Sequence, residues 1–261
     1  MIFGSLFSGI GGLDLGMERA GFTCKWQVES SEYCRRVLAK YWPDAYRWDD
    51  VCTFPMLIRN AESMFLDLSV DVICGGFPCQ DVSLAGNRDG ISGSRSGLYG
   101  EMLGIIECLR PRAAIIENVD GLRVRGGLGV VLRDLSRIGY DAEWTMLSAC
   151  QFGAAHTRKR MFIVAYPNGN GLQGCERRCK ESESIKGRIF TLCDPPERQG
   201  WQQLPAPVFC RGVDGIPRKV DRTRGLGNAV VPAVGEFVGR CVKKFLEQSL
   251  PVALEPPKRE A

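Results

Sequence analysis

A chain of 261 residues with 44% hydrophobic and 25% charged residues has the composition of a folded globular protein, which excludes disorder over most of its length. No run approaches the roughly 20 apolar residues of a membrane helix, and the start MIFGSLFSGIGG lacks the basic stretch of a signal peptide, so a cytoplasmic protein is expected. The net charge of +4, from 34 basic and 30 acidic residues, permits nucleic-acid binding without announcing it, and the lone histidine, His156, excludes every multi-histidine metal site.

In chain order, short β-rich runs alternate with amphipathic stretches over residues 1–150, the pattern of βα units in a parallel sheet. Strands are predicted at Ile2–Leu6, at Thr23–Val28, at 70–74 and at 113–116, with a third strand ending near Asp50. Runs at 144–149 and 161–165 follow Gly139 with few helical residues between them and predict a hairpin at the sheet edge. After Tyr166 the chain turns polar and rich in Gly and Pro up to about Thr223, which predicts a small inserted module. A helical period returns over 230–246, with Val234, Phe237, Val238, Val242 and Phe245 on one face, before a frayed tail over 251–261. The organisation expected is a main domain over 1–165, a module over 166–223, and a helix over 224–250 that returns to the main domain.

Phe7-Ser8-Gly9-Ile10-Gly11-Gly12-Leu13 follows the first strand and opens a helix, where glycines let backbone approach a ligand. The spacing is not Gly-x-Gly-x-x-Gly, and the acid Glu29 arrives sooner than the ~20 residues usual after a dinucleotide loop. Both points favour S-adenosylmethionine over a nicotinamide cofactor, with Glu29 on ribose hydroxyls, Asp50 on an adenine amino group and Val51 on the ring face; an acidic surface turn is the alternative for Asp50. The strand at 70–74 runs into Gly75-Gly76-Phe77-Pro78-Cys79-Gln80, placing a thiol at the carboxyl end of a parallel strand, where open α/β sheets bind ligands. The next stretch, 81–97, holds Ser83, Arg88 and Arg95 and suits a loop that closes over a phosphate backbone. Glu117 ends a further strand one position away, and burial there should raise its pKa so that it can hold a proton. A structural acid paired with arginine is the alternative.

These segments, in this order, resemble the DNA cytosine-5 methyltransferases of bacteria and phages over nearly the whole chain. Phe7 to Gly12 resembles the cofactor loop, Pro78-Cys79-Gln80 the catalytic loop, Glu117-Asn118-Val119 the base-recognition motif, Arg158-Lys159-Arg160 the end of the Gln-x-Arg-x-Arg motif, and Gly227-Asn228-Ala229-Val230 the last cofactor motif. His156 stands where that family has glutamine, and the region between motifs is short. The resemblance implies a doubly wound, mostly parallel α/β sheet of the S-adenosylmethionine-dependent methyltransferase fold with a small inserted target-recognition module. It further implies Cys79 as the nucleophile toward carbon 6 of a flipped-out cytosine, Glu117 at ring nitrogen 3, and Arg158 or Arg160 on the carbonyl at carbon 2. Cofactor contacts are expected from Phe7, Gly9, Gly11, Gly12, Leu13, Glu29, Asp50, Val51, Pro78, Asn228, Ala229 and Val230, and DNA contacts from Gln80, Ser83, Arg88 and Arg95. The expected partners are double-stranded DNA and, as a candidate, a cognate restriction endonuclease, with the chain acting as a monomer and without a metal.

Three rivals stand beside this reading: a silent DNA-binding relative, a methyltransferase acting on structured RNA, and a nicotinamide-dependent oxidoreductase. Cys175, Cys179, Cys193 and Cys210 lack any Cys-x-x-Cys pair, so a zinc site in the module is not expected and the twelve cysteines are read as reduced thiols.

Overall fold

The computed structural model describes residues 1–61, 66–78, 97–124, 126–168, 189–194 and 229–248. The expectations for Cys79, Gln80, Ser83, Arg88, Arg95 and Asn228, for most of the module and for the tail lie outside the described residues. The elements are β1 (Ile2–Leu6), α1 (Gly12–Arg19), β2 (Thr23–Val28), α2 (Glu32–Tyr41), β3 (Tyr46–Trp48), α3 (Phe54–Asn60), β4 (Val72–Gly75) and α4 (Gly97–Leu109). They continue with β5 (Ala113–Asn118), α5 (Gly121–Val124), α6 (Gly127–Arg137), β6 (Tyr140–Ser148), β7 (Lys159–Pro167) and α7 (Pro232–Gln248).

The seven strands form one sheet in the order β3-β2-β1-β4-β5-β7-β6. Only β7 runs against the rest, pairing antiparallel with both β5 and β6. Successive strand side chains point to opposite faces, and the core divides accordingly. Ile73, Ile116 and Ile163 face one layer with α3, α4 and α6, while Cys74, Ile115 and Val164 face the other with α1 and α7. The sheet is doubly wound, and its switch point lies between β1 and β4, where ligand crevices open at the carboxyl ends of the strands.

β1 and β2 match the sequence expectation, and the edge hairpin is present but longer, nine residues in each strand. Tyr140 starts it early because its buried hydroxyl donates to Pro111 O at 2.7 Å. β4 starts two residues late, since Asp71 is held at the sheet rim by Ile2 N, which donates to its carboxylate at 2.8 Å. β5 runs on through Asn118, two residues beyond the expected 113–116, and Glu117 near its end is paired opposite Phe162.

Within the segment expected as a module, Ile189–Thr191 forms a short turn of 3-10 helix whose Ile189 N donates to Glu143 on β6 at 2.9 Å. Ile189 and Cys193 are buried in the same apolar cluster as α7, and Lys244 donates to Leu192 O. This piece of the insertion therefore belongs to the main domain's core. Among the described residues there is no cluster of metal-ligating side chains, and no helix long and apolar enough to cross a membrane.

α7 lies on α1 at backbone contact. A Cβ added at Gly16 would sit 2.6 Å from Glu236 N, and one at Gly239 would sit 2.8 Å from the Ala20 Cβ. Such spacing requires glycine on both helices, because a side chain would force backbone apart. Gly16→Val should destabilise the fold by about 1–3 kcal/mol through overpacking. The check is a lower midpoint of chemical unfolding at unchanged slope; an unmoved midpoint would mean that the two helices can separate without loss.

Candidate active site

The turn after β1 is built from backbone conformations that few residues adopt. Phe7 has φ 54°, Gly9 55° and Gly11 82°, and the left-handed conformation costs a bulky residue such as Phe7 of order 1–3 kcal/mol. The loop is held on three sides. Ser8 N donates to Val28 O at 3.3 Å, Gly11 N to Ser8 O at 2.9 Å, and Gly9 N to the Glu29 carboxylate at 2.7 Å. The other Glu29 oxygen accepts from Ser31 N at 2.8 Å, and Glu29 N donates to Trp48 O at 3.0 Å. Glu29 thus ties the glycine loop to the ends of β2 and β3. The space that a side chain at Gly9 would fill is open.

Val230 completes this end of the sheet from far along the chain. A Cβ on Gly12 would fall 2.3 Å from Val230 O, so the segment expected as the last cofactor motif, of which Ala229 and Val230 are described, rests directly on the glycine turn. Leu13 is buried against Gly235 of α7. Val51 is buried in the core cluster of the α3 face, while Asp50 is exposed and accepts from Cys52 N at 2.9 Å, capping the turn into α3.

Across the switch point, Gly76 follows β4 and leaves room for Glu117: a Cβ there would lie 2.5 Å from Glu117 Oε2. Phe77 is buried against Tyr99, and Asn118 Nδ2 donates to Phe77 O at 3.1 Å. Asn118, whose amide sequence reasoning did not single out, therefore anchors the residue before the exposed Pro78 to β5. Arg160, at the start of the reversed strand β7, brings Nε to 2.7 Å from Glu117 Oε1, with the two side chains 19% and 12% exposed. Among the described residues Arg158 Nε and Nη2 are buried without a hydrogen-bond partner. Burial pushes the Glu117 carboxyl above its usual range, and Arg160 and Arg158 pull it back. Burial and the neighbouring Arg160 lower the Arg158 pKa, and Glu117 opposes them. His156 is exposed on the turn before β7.

The structure therefore brings Glu117, Arg158, Arg160 and Pro78 to one end of the sheet, and Phe7, Gly9, Gly12, Glu29 and Val230 to the adjoining turn. Residues 1–202 match the family model of C-5 cytosine-specific DNA methylases, and the chain belongs to that family. It is 36% identical over 168 residues to the Type II methyltransferase M2.BsuMI of Bacillus subtilis, covering 62% of this chain and 41% of that protein. It is 33% identical over 206 residues to the Type II methyltransferase M.NgoPII of Neisseria gonorrhoeae, covering 73% and 56%. The solved structure of an E. coli prophage-encoded protein described as a DNA modification methyltransferase superposes with a TM-score of 0.53 at 29% identity, over 64% of this chain and 47% of that one. The chain spans about half the length of the curated relatives it matches.

Arg160→Ala would leave Glu117 buried without its nearest cation, a loss worth roughly 3 kcal/mol. Because the Glu117 pKa is raised on folding, its stabilising contribution is complete below the unfolded value and is lost as pH rises through the folded one. The variant should accordingly lose more stability at pH 8 than at pH 5 in parallel melts; an equal loss at both would mean that the pair does not control the carboxylate.

Proposed function

We propose that this chain transfers the methyl group of S-adenosylmethionine to carbon 5 of cytosine in double-stranded DNA, through a covalent bond from Cys79 to carbon 6. The observation that carries this reading is the Glu117, Arg160 and Arg158 cluster beside the Gly76-Phe77-Pro78 turn, which leads directly into Cys79. The glycine turn fits the cofactor: the open space at Gly9, the Glu29 carboxylate beside it and the Val230 backbone behind it form a cradle that a side chain would fill. Phe7, Gly9, Gly11, Gly12, Glu29, Asp50, Val51, Pro78, Asn228 and Val230 would hold it. When bound, S-adenosylmethionine supplies an electrophilic methyl group.

Carbon 5 of cytosine is a weak nucleophile until the ring is activated. The Cys79 thiolate adds to carbon 6, and the electron pair of the 5,6 double bond moves to give an enamine reactive at carbon 5. Glu117, with its raised pKa, holds a proton toward ring nitrogen 3 and disperses the charge formed there. The unpartnered Arg158 N–H groups supply donors for the carbonyl oxygen at carbon 2, and Arg160 keeps Glu117 in place. Loss of the proton from carbon 5 then expels Cys79 and restores the aromatic ring. The target atoms are hidden in a duplex, so the base must leave the stack at a cost of a few kcal/mol, which contacts from Gln80, Ser83, Arg88 and Arg95 would offset. The Type II names of the relatives make a cognate restriction endonuclease the candidate partner.

The test is transfer of labelled methyl from S-adenosylmethionine to mixed-sequence duplex DNA. Label at cytosine carbon 5 is expected, and its absence in Cys79→Ala with cofactor binding retained. Label on transfer RNA instead of DNA would overturn the substrate, and DNA binding with no label on either would leave a silent binder. Glu117→Gln should slow turnover by roughly 10²-fold or more with little change in cofactor affinity; an undiminished rate would make the carboxylate structural.

A further inference from the structure

Ser5, Ser8, Asp14 and Gln27 are four of the six buried polar or charged residues among those described, and all four lie together beneath the glycine turn. Asp14, on α1, is fully buried. Ser5 Oγ donates to its Oδ1 at 2.7 Å, Gln27 Nε2 donates to its Oδ2 at 2.8 Å, and Ser8 Oγ lies 2.9 Å from Ser5 Oγ. The carboxylate thus joins β1, β2 and the turn from below. No basic side chain pairs with it among the described residues, in contrast to Asp134, which has Arg133 and Arg137 beside it. The ionisable groups around it are Glu18 on its own helix, Cys24 on β2 and Cys74 on β4, none of them basic, and α7 meets this side of α1 through Gly235 and Gly239.

An unpaired, buried carboxylate works against folding. Burial raises Asp14 from 3.8 to about 6, with the Ser5 and Gln27 bonds opposing the shift. Its folded value lies above its unfolded one, so its stabilising contribution is complete below the unfolded value and is lost as pH rises through about 6. At neutral pH the ionised group is a net cost. The neutral acid has a partner waiting, because Gln27 Oε1 is buried and has no hydrogen-bond partner among the described residues, and a turn of that amide would let it accept from the carboxylic O–H. A charge kept at the expense of stability, directly under a ligand-binding turn, has the mark of a functional group.

We propose that Asp14 is a positioning residue that selects the cofactor's charge: fixed beneath the glycine turn, its carboxylate favours the positively charged sulfonium of S-adenosylmethionine over the thioether of the product, which carries one positive charge fewer. The inference rests on the cofactor assignment made above. A buried charge is weakly screened, and at an effective dielectric near 20 a separation of about 12 Å corresponds to a preference of about ten-fold. The device would hold the reactive cofactor and help to release the spent one.

The experiment is calorimetric titration of S-adenosylmethionine and S-adenosylhomocysteine into the whole chain, wild type and Asp14→Asn, at pH 7 and pH 5, with thermal melts of both. Asparagine keeps the Ser5 bond, can donate to Gln27 Oε1 and carries no charge. The expected result is a higher melting temperature for Asp14→Asn at pH 7 together with a several-fold narrower ratio of the two affinities. The wild-type ratio should narrow in the same way at pH 5, a measurement that needs no variant. Groups that touch both ligands alike, such as Glu29, cancel in the ratio. A ratio that is independent of both pH and the substitution would overturn the role of Asp14 while leaving the cofactor assignment standing. Failure of the wild type to bind either compound at pH 7 would remove the cofactor assignment and this inference with it.

Discussion

The shape of the glycine turn at the carboxyl end of β1 depends on how closely α7 can approach α1. Hydrophobic burial drives the association, since Val234, Phe237, Val238 and Val242 all lie within one apolar cluster with Leu13 and Met17. Burial alone does not set the distance. The distance is set by Gly16, Gly235 and Gly239, where missing side chains let the two helices approach to backbone contact, and Gly12 does the same for Val230 just before α7. Were the helices one side chain further apart, Val230 would leave the glycine turn and the turn would lose its back wall. The conformational cost of glycine in helices is the counterpart of that contact, of order 0.5–1 kcal/mol at each position.

The second half of the site depends on a reversed strand. In an all-parallel sheet only strand C-termini reach the ligand crevice. β7 runs the other way, so its first residues, not its last, arrive beside the end of β5. Arg158 and Arg160 therefore meet Glu117 from the start of a strand, within a few residues of the exposed turn that carries His156. The mutual dependence of these charges follows from burial. Glu117 needs the guanidiniums to remain ionisable, and Arg158, crowded by Arg160, needs the carboxylate.

The sheet was largely legible in the sequence because period-two alternation and glycine-marked turns are local signals, and they placed β1, β2 and the β6–β7 hairpin well. The position of the glycine turn after β1 and that of Glu117 near the end of β5 were legible for the same reason: each lies by a strand end that hydrophobic pattern alone can find. Three things were not. The Asn118 amide bond to Phe77 O joins residues 41 positions apart, and no local pattern reports it. Ile189–Thr191 lies in a polar, aperiodic stretch whose single buried isoleucine gives no periodicity to detect. Asp14 falls in the first turn of a helix whose outward appearance is ordinary, and only its burial against Ser5 of β1 and Gln27 of β2 makes the position unusual. Glu29 was read as an acid at the end of β2, but its grip on Gly9 N was visible only in three dimensions.

The closing of α1 by α7 has a temporal side. Lys243 Nζ reaches Gly21 O across 222 positions of chain, a contact that no early segment can make for itself. At roughly 5–20 residues per second, synthesis would leave the glycine turn without its back wall for about ten to forty seconds after α1 emerges from the ribosome. During that interval the apolar side of α1 has no helix to cover it, and the loop-closure entropy of so distant a pairing is still unmet. The turn after β1, made early in synthesis, thus has no back wall until the segment that leads into α7 has arrived and docked.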